Sequence, residues 1–388
     1  MTARRRRDYY FQQGTSATVC PPAAILSDPP LPFPSPSCRA RSTFRRAARA
    51  ATLLSLASVG ACARADAAPE AWPTRPLGEV VRWEGEIRPE ENDEVLNVWP
   101  ILHAEPAGGF LVADTREGQT RLYDAAGRLR GRFGARGRGP AEFDGPVASL
   151  RLPSGEIAVA DLSGKVAVFD AAGARLLRTF QTGLVPLYDA ELLPDARLLL
   201  VGRGPDKAGP LLHLFDPRGG RITRRFFTPA QPRGTSRRGA LTASFAEATV
   251  RGDTIAVVTS LVDTLYLFDA GGRSLAKVHI PFRHFRPLPR DLPRRAKREQ
   301  TYAWLSAFSL VSHAFWAGDG SWLVQYQDRN GPEIRWRLLR MTRDGRRIFE
   351  LRDTPQLLAT DPDSGRLYFV APTAPAPNVW SVARLRSR

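Results

Sequence analysis

Short apolar runs alternate with turn-forming residues along most of this 388-residue chain. The runs are four to six residues long, rich in β-branched and aromatic side chains, and bounded by Gly, Asp and Pro. This pattern is typical of strands joined by tight turns. Because the sequence contains no run of about 18 apolar residues, the pattern also excludes a polytopic membrane protein. The chain is therefore predicted to be all-β.

The strands recur with a period near fifty residues. An aromatic strand end followed by Asp and a closing glycine stands at 123–127, 169–173, 215–219 and 268–272, with a weaker copy at 341–345. The terminal glycines are 46, 46, 53 and 73 residues apart. Segments such as Asp-Ala-Ala-Gly place an Asx-type turn and a glycine that tolerates positive φ at a hairpin tip.

Each repeat unit accommodates four strands. In the second unit these are predicted at 147–152, 156–160, 165–169 and 174–180. A four-stranded unit that repeats every 40–50 residues is a propeller blade, and six such units fit the chain. The sixth lacks its last strand, which we expect residues 79–83 to supply, because an N-terminal strand in the last blade closes the ring. An open β-sandwich is the alternative, but it would not require this even spacing.

The first 78 residues are interpreted as an export signal with a preceding leader and a following linker. The basic residues 39–49 precede a twelve-residue apolar stretch at 50–61, a length that suits a secretory signal and is too short to span a bilayer. The residues that follow, Val-Gly-Ala and then Cys62, resemble a bacterial lipobox. We therefore expect a disordered leader or a mis-assigned start at 1–38, a lipoprotein-type signal at 39–61, lipidation of Cys62, and a linker at 62–78.

This interpretation places the protein in the bacterial cell envelope, in the periplasm or on the outer membrane, held to the membrane by acyl chains. Two alternatives remain open. The chain is cleaved between residues 61 and 68 and released as a soluble exported protein, or the segment is not an export signal at all.

A longer motif links the first and second blades. Residues 132–143, Arg-Phe-Gly-Ala-Arg-Gly-Arg-Gly-Pro-Ala-Glu-Phe, resemble the blade junction of NHL-type six-bladed propellers from exported bacterial proteins. The resemblance covers about residues 79–388, although Ala141 replaces the usual glycine. It implies the architecture and export more than any activity. A phosphate-binding loop is disfavoured, because such a loop needs Gly-Lys-Ser/Thr at the start of a helix.

Polar residues on predicted innermost strands are the candidate ligand-binding residues, because these strands converge on the central channel. The candidates are Trp99, His103, Asp189, Glu247 and His313, and Glu191 lies on the same predicted strands. Zinc-dependent amidating lyases of the NHL type use axial histidines, so the resemblance also suggests an enzyme. Only two of the five histidines are axial, however, which falls short of a three-histidine site. We therefore predict no metal site and no cofactor.

A basic insertion interrupts the repeat at about residues 281–309. It carries seven Arg or Lys residues against two acids, and Asp291 resembles the N-cap of a helix that would run to about residue 306. Such an insertion suits a lid or a docking surface, or alternatively a solvated helix on the rim.

The formal net charge is +17, with 56 basic and 39 acidic residues. The arginines are scattered over turns and form no recognised nucleic-acid module, so no nucleic-acid partner is expected. An anionic lipid or polysaccharide is the better match to the charge.

These features together predict a monomeric binding or scaffold protein for a protein, glycan or small-molecule ligand. A propeller lyase or hydrolase that uses His103, Asp189, Glu247 and His313 is one alternative. An intracellular interaction module is another, and it requires that the export signal be spurious.

Overall fold

Six β-sheets surround one axis and form a six-bladed β-propeller, which confirms the predicted fold class. The computed structural model describes residues 73–386 apart from 91–100, 106–107, 116, 207–208, 230–244, 281, 283–284, 287–299, 301–302, 305–306, 331–332, 344–347, 353 and 372–378. Residues 1–38, the signal at 39–61, Cys62, Trp99 and most of the insertion at 281–309 therefore lie outside the described residues.

The first described elements are β1 (Thr74–Pro76), α1 (Leu77–Val80) and β2 (Val81–Ile87). Blade 1 contains β3 (Ile101–Ala104), β4 (Phe110–Asp114), β5 (Gln119–Tyr123) and β6 (Leu129–Phe133), and its junction with blade 2 contains β7 (Ala135–Arg136) and β8 (Glu142–Phe143). Blade 2 contains β9 (Pro146–Arg151), β10 (Ile157–Asp161), β11 (Lys165–Phe169) and β12 (Leu176–Gln181). Blade 3 contains β13 (Leu187–Leu192), β14 (Leu198–Gly202), β15 (Leu212–Asp216) and β16 (Arg221–Phe226).

Blade 4 contains β17 (Ala246–Arg251), β18 (Thr254–Thr259), β19 (Thr264–Asp269) and β20 (Ser274–His279). Blade 5 contains β21 (Leu310–Trp316), β22 (Trp322–Asn330), β23 (Glu333–Met341) and β24 (Ile348–Arg352). Blade 6 contains β25 (Leu357–Asp361), β26 (Arg366–Val370) and β27 (Trp380–Leu385). The strands predicted for blade 2 match the observed ones to within two residues at each end.

The N-terminal segment closes the ring at two blades. Strand β2 pairs antiparallel with β27 as the outermost strand of blade 6, as predicted, although it begins at Val81 and not at residue 79. Strand β1 adds a fifth, parallel strand to blade 5 by pairing with β24. The predicted linker at 62–78 therefore ends before Thr74. The strand Thr-Arg-Pro is too short to show an alternating pattern in the sequence. Its pairing depends on the exposed edge of β24.

The repeated glycines join each blade to the one before it. A glycine of the hairpin between the third and fourth strands lies against the phenylalanine that ends, or nearly ends, the preceding blade's outermost strand. The pairs are Gly173 with Phe133, Gly220 with Phe180, and Gly272 with Phe226. In the third copy the residue with positive φ is Gly220, one position after the glycine that the repeat indicated. The repeat therefore encodes contacts between blades as well as turns.

Replacing Gly173 with alanine is expected to destabilise the protein. Its φ of +75° is unfavourable for an L-residue, and a Cβ there would lie 2.2 Å from the Phe133 ring. The two effects together give a loss of about 2–3 kcal/mol in the free energy of unfolding, measurable by urea denaturation. Gly204→Ala is the matched control, because no atom lies within 4 Å of a Cβ at that position. Equal stability of the two variants would contradict this contact.

Apolar side chains fill the spaces between neighbouring blades, whereas several polar side chains lie on the strands nearest the axis. The cluster between blades 1 and 6, for example, contains Phe110, Tyr123, Tyr368 and Trp380. The innermost strands β3, β9, β13, β17, β21 and β25 follow one another around the axis, each in contact with the next. Among the described residues, no helix is long and apolar enough to cross a membrane.

Candidate functional site

Five titratable side chains lie on four of the innermost strands. They are His103 on β3, Asp189 and Glu191 on β13, Glu247 on β17, and His313 on β21. The predicted placement of these residues on innermost strands is therefore confirmed. The side chains of His313 and Glu247 remain 21% and 32% exposed, so they border a water-accessible channel. We refer to these five residues as the axial cluster. Trp99, the remaining candidate, lies outside the described residues.

His313 is held between two side chains of the neighbouring blade. Its Nδ1 contacts Glu247 Oε2, and its Nε2 lies 3.3 Å from Thr249 Oγ1. The Thr249 hydroxyl already donates its proton to the carbonyl of Ala314 at 2.5 Å. Its oxygen can therefore only accept from His313, and a carboxylate likewise only accepts. Both ring nitrogens of His313 consequently carry protons, and the ring is an imidazolium.

The electrostatics of His313 agree with this assignment. Burial acts to lower the pKa of His313, but the charge of Glu247, its hydrogen bond and the charge of Asp189 together raise the pKa above its usual value. The site therefore holds one fixed positive charge beside its carboxylates.

Asp189 links blade 3 to blade 4 through the backbone. Its Oδ2 accepts the N–H of Ala248 at 2.9 Å, and its Oδ1 accepts the N–H of Ala190 at 2.8 Å. Burial and the charge of Glu247 nevertheless raise the pKa of Asp189 to about 6. Burial, followed by the charges of Asp189 and Glu247, raises the pKa of Glu191 well above its usual value. Glu191 therefore keeps its proton to a higher pH than an ordinary glutamate, and in its protonated form it can donate a hydrogen bond.

His103 is the neutral imidazole of the cluster. Burial, followed by the positive charge of His313, lowers the pKa of His103 to about 4. Its Nε2 is buried and has no hydrogen-bond partner. The two imidazole rings of the cluster therefore differ. His103 is neutral and has an unsatisfied nitrogen, whereas His313 is charged and both of its nitrogens are hydrogen-bonded.

The cluster does not have the form of a metal centre. No group of three or more His, Cys, Asp or Glu side chains among the described residues is placed to hold a metal ion. In addition, both nitrogens of His313 are hydrogen-bonded, and both oxygens of Asp189 accept backbone N–H groups. The imidazolium of His313 has no free lone pair with which to bind a metal ion.

Replacing His103 with glutamine is expected to make the protein more resistant to acid. Between pH 6.5 and pH 4 the unfolded chain protonates this histidine while the folded protein does not, so the residue destabilises the fold as pH falls. The drop in melting temperature from pH 7 to pH 4.5 should be smaller in His103→Gln than in the wild type. His279→Gln, at a side chain 68% exposed on an outermost strand, should retain the wild-type drop. Equal drops in all three proteins would contradict the low pKa.

The junction motif at 132–143 has a structural role. Strands β7 and β8 pair in parallel, and the Glu142 carboxylate accepts the N–H of Gly139 at 2.8 Å. Lys165 donates to the Gly139 carbonyl at 2.9 Å and lies over the Phe143 ring. These contacts place the stretch as a paired connection between blades 1 and 2, as the sequence predicted.

The described ends of the insertion pack on blade 5. The ring of Phe282 lies 4.3 Å from that of Tyr326, and Phe308 is fully buried. Arg286 forms an ion pair with Asp328 at 3.5 Å. The predicted helix between Asp291 and about residue 306 falls mainly on residues that are not described, so it stays a prediction.

Sequence reasoning missed Thr249, which orients His313 and fixes its protonation. A threonine within a β-strand is common and carried no signal. Glu191 was placed on an innermost strand but was not chosen as a binding residue. Its importance depends on its neighbours Asp189 and Glu247, which only the fold brings close to it.

Comparisons with known proteins show the fold alone. No protein-family model matches the chain, and no curated protein matches it. A protein from Bacteroides fragilis, named as exported, is similar in structure, with a TM-score of 0.56 and 11% identity over 81% of this chain and 97% of that one. A member of the DUF4221 family from Bacteroides vulgatus has a TM-score of 0.57 and 12% identity over 79% and 98%. The specific resemblance to NHL-type propellers stays a prediction.

Proposed function

We propose that this protein is an exported, lipid-anchored β-propeller that binds a small ligand at the axial cluster. The observation that carries the proposal is the convergence of three carboxyl groups and two imidazoles on the wall of a water-accessible channel. Polar groups of this kind fix the orientation of a ligand in a concave site.

Export is supported by two independent observations. The segment before Cys62 has the basic and apolar regions of a lipoprotein signal, and a protein of similar fold is named as exported. In a bacterial host that processes lipoproteins, the chain should incorporate labelled palmitate and sediment with membranes. Cys62→Ser should abolish both properties. Labelling that persists in this variant, or its absence in the wild type, would overturn the lipid anchor.

Ligand binding can be tested by a ligand-observed NMR screen of small molecules against the purified propeller. Glu191→Phe places a bulky ring in the channel, whereas Leu275→Phe adds the same ring at a position 50% exposed on the outside of blade 4. We expect a set of compounds that bind the wild type and Leu275→Phe but not Glu191→Phe. A screen in which no compound depends on the channel would overturn the proposal.

A hydrolase or lyase is the second candidate function, and the electrostatics of two carboxyl groups favour it. The pKa of Glu191 is raised well above its usual value by burial and neighbouring charges, while that of Asp189 is raised to about 6. Carboxyl groups whose pKa values are pushed apart can serve as general acid and general base. If a bound compound is converted, Glu191→Gln should abolish turnover and retain binding. Binding without conversion would leave the protein as a binding protein.

A further inference from the structure

The axial cluster contains more acidic side chains than positively charged ones. Three carboxyl groups, from Asp189, Glu191 and Glu247, share the channel with a single imidazolium, that of His313. His103 adds no charge at neutral pH. Two ionised carboxyl groups are enough to outnumber this one cation, so the site retains a negative charge.

The basic residues of the innermost strands do not neutralise this charge. Arg151 and Arg251 are the last residues of β9 and β17, and each has an acidic partner of its own. Arg151 pairs with Glu105, and Arg251 pairs with Asp363 at 2.7 Å. The excess negative charge at the centre of the channel therefore persists, although the protein as a whole is strongly basic.

The cluster also contains an unsatisfied polar atom. His103 Nε2 is buried without a hydrogen-bond partner, which is unfavourable unless a ligand or water supplies one. In the tautomer that carries its proton on Nδ1, this nitrogen is an acceptor. In that tautomer a ligand satisfies the atom by donating a hydrogen bond, and an ammonium group brings three donors together with a positive charge.

From this arrangement we propose that the ligand of the axial cluster carries a compact positive charge, of the primary ammonium type. The inference rests on the proposed function, since it specifies the chemistry of the ligand at the same site. The ammonium group would bind at the neighbouring carboxylates of Asp189 and Glu247. The imidazolium of His313 beside Glu247 limits this attraction.

The test compares three probes of equal length, n-butylammonium, 1-butanol and 1-butanesulfonate, by ligand-observed NMR at pH 7.5 and low salt. We expect n-butylammonium to bind the wild type and the other two probes not to compete with it. Binding should weaken as salt is added, because screening reduces attraction between charges.

Two substitutions shift the site charge in opposite directions. Glu247→Gln removes a carboxylate and should weaken n-butylammonium binding about tenfold, whereas His313→Gln removes the cation and should strengthen binding by a similar factor. A general loss of structure would weaken binding in both variants, so opposite effects are specific to charge. Asp195→Asn, which removes a charge at a side chain 49% exposed outside the innermost strands, should bind like the wild type. Changes in the same direction in the two axial variants would overturn the proposal.

The outcomes separate this inference from the function on which it rests. If 1-butanol or 1-butanesulfonate binds in the channel and n-butylammonium does not, the cationic preference is wrong while small-ligand binding stands. If none of the probes binds and the wider screen yields no compound that Glu191→Phe excludes, the proposed function itself is overturned.

Discussion

A protein that begins at residue 88 is expected to lose its cooperative thermal unfolding transition. It lacks β2, whose six paired residues hold the outer edge of β27, and β1, which covers β24. It also lacks Leu77, Val80 and Val81, which are at most 5% exposed. Burial of each such side chain contributes about 1.5–3 kcal/mol, and the three together approach the whole stability of a typical domain, about 5–15 kcal/mol.

A protein that begins at residue 73 is the control, because it retains every described element. Circular dichroism should show a sharp transition for this control and a broad one, or aggregation, for the shorter protein. Melting temperatures within a few degrees of each other would mean that the N-terminal strands do not close the ring.

Trp380→Ala is expected to cause a large loss of stability. Trp380 is fully buried between blades 6 and 1, with its ring 5.2 Å from that of Phe110 and 6.4 Å from that of Tyr123. Truncation of a buried tryptophan leaves a cavity and costs about 3–5 kcal/mol. For a protein of this size the melting temperature should fall by roughly 6–15 °C, as differential scanning calorimetry would record.

Trp83→Ala is the matched control for this prediction. Trp83 lies on the outermost strand of blade 6, is 44% exposed, and contacts the Phe369 ring at one edge. Its truncation should lower the melting temperature by a few degrees at most. An equal effect of the two substitutions would contradict the packing between the first and last blades.

The sequence allowed the blades to be counted because each blade repeats its contact with the previous one. Glycines such as Gly173 and Gly272 each lie in a turn and pack against a phenylalanine ring of the preceding blade. Strand β1 could not be predicted in the same way. It has only three residues, one of them proline, and its pairing is determined by the edge of β24.

The positions of the candidate site residues were predictable, but their chemistry was not. His103 and His313 both lie on innermost strands, and nothing in the sequence distinguishes the two rings. The hydroxyl of Thr249 and the carboxylate of Glu247 make His313 an imidazolium, and that charge together with burial keeps His103 neutral. The contacts of His313 join residues 64 and 66 positions apart in the chain, on neighbouring blades.

The central claim is that the axial cluster carries a net negative charge and one fixed cation. Both properties depend on the protonation states of these two rings, so measuring those states tests the claim most directly. Side-chain ¹⁵N spectra of the histidines in the folded protein at pH 7, assigned with His103→Gln and His313→Gln, report both rings. We predict two protonated nitrogens on His313 and one on His103, with no titration of His103 until about pH 4. Two rings that titrate together near pH 6.5 would contradict the account.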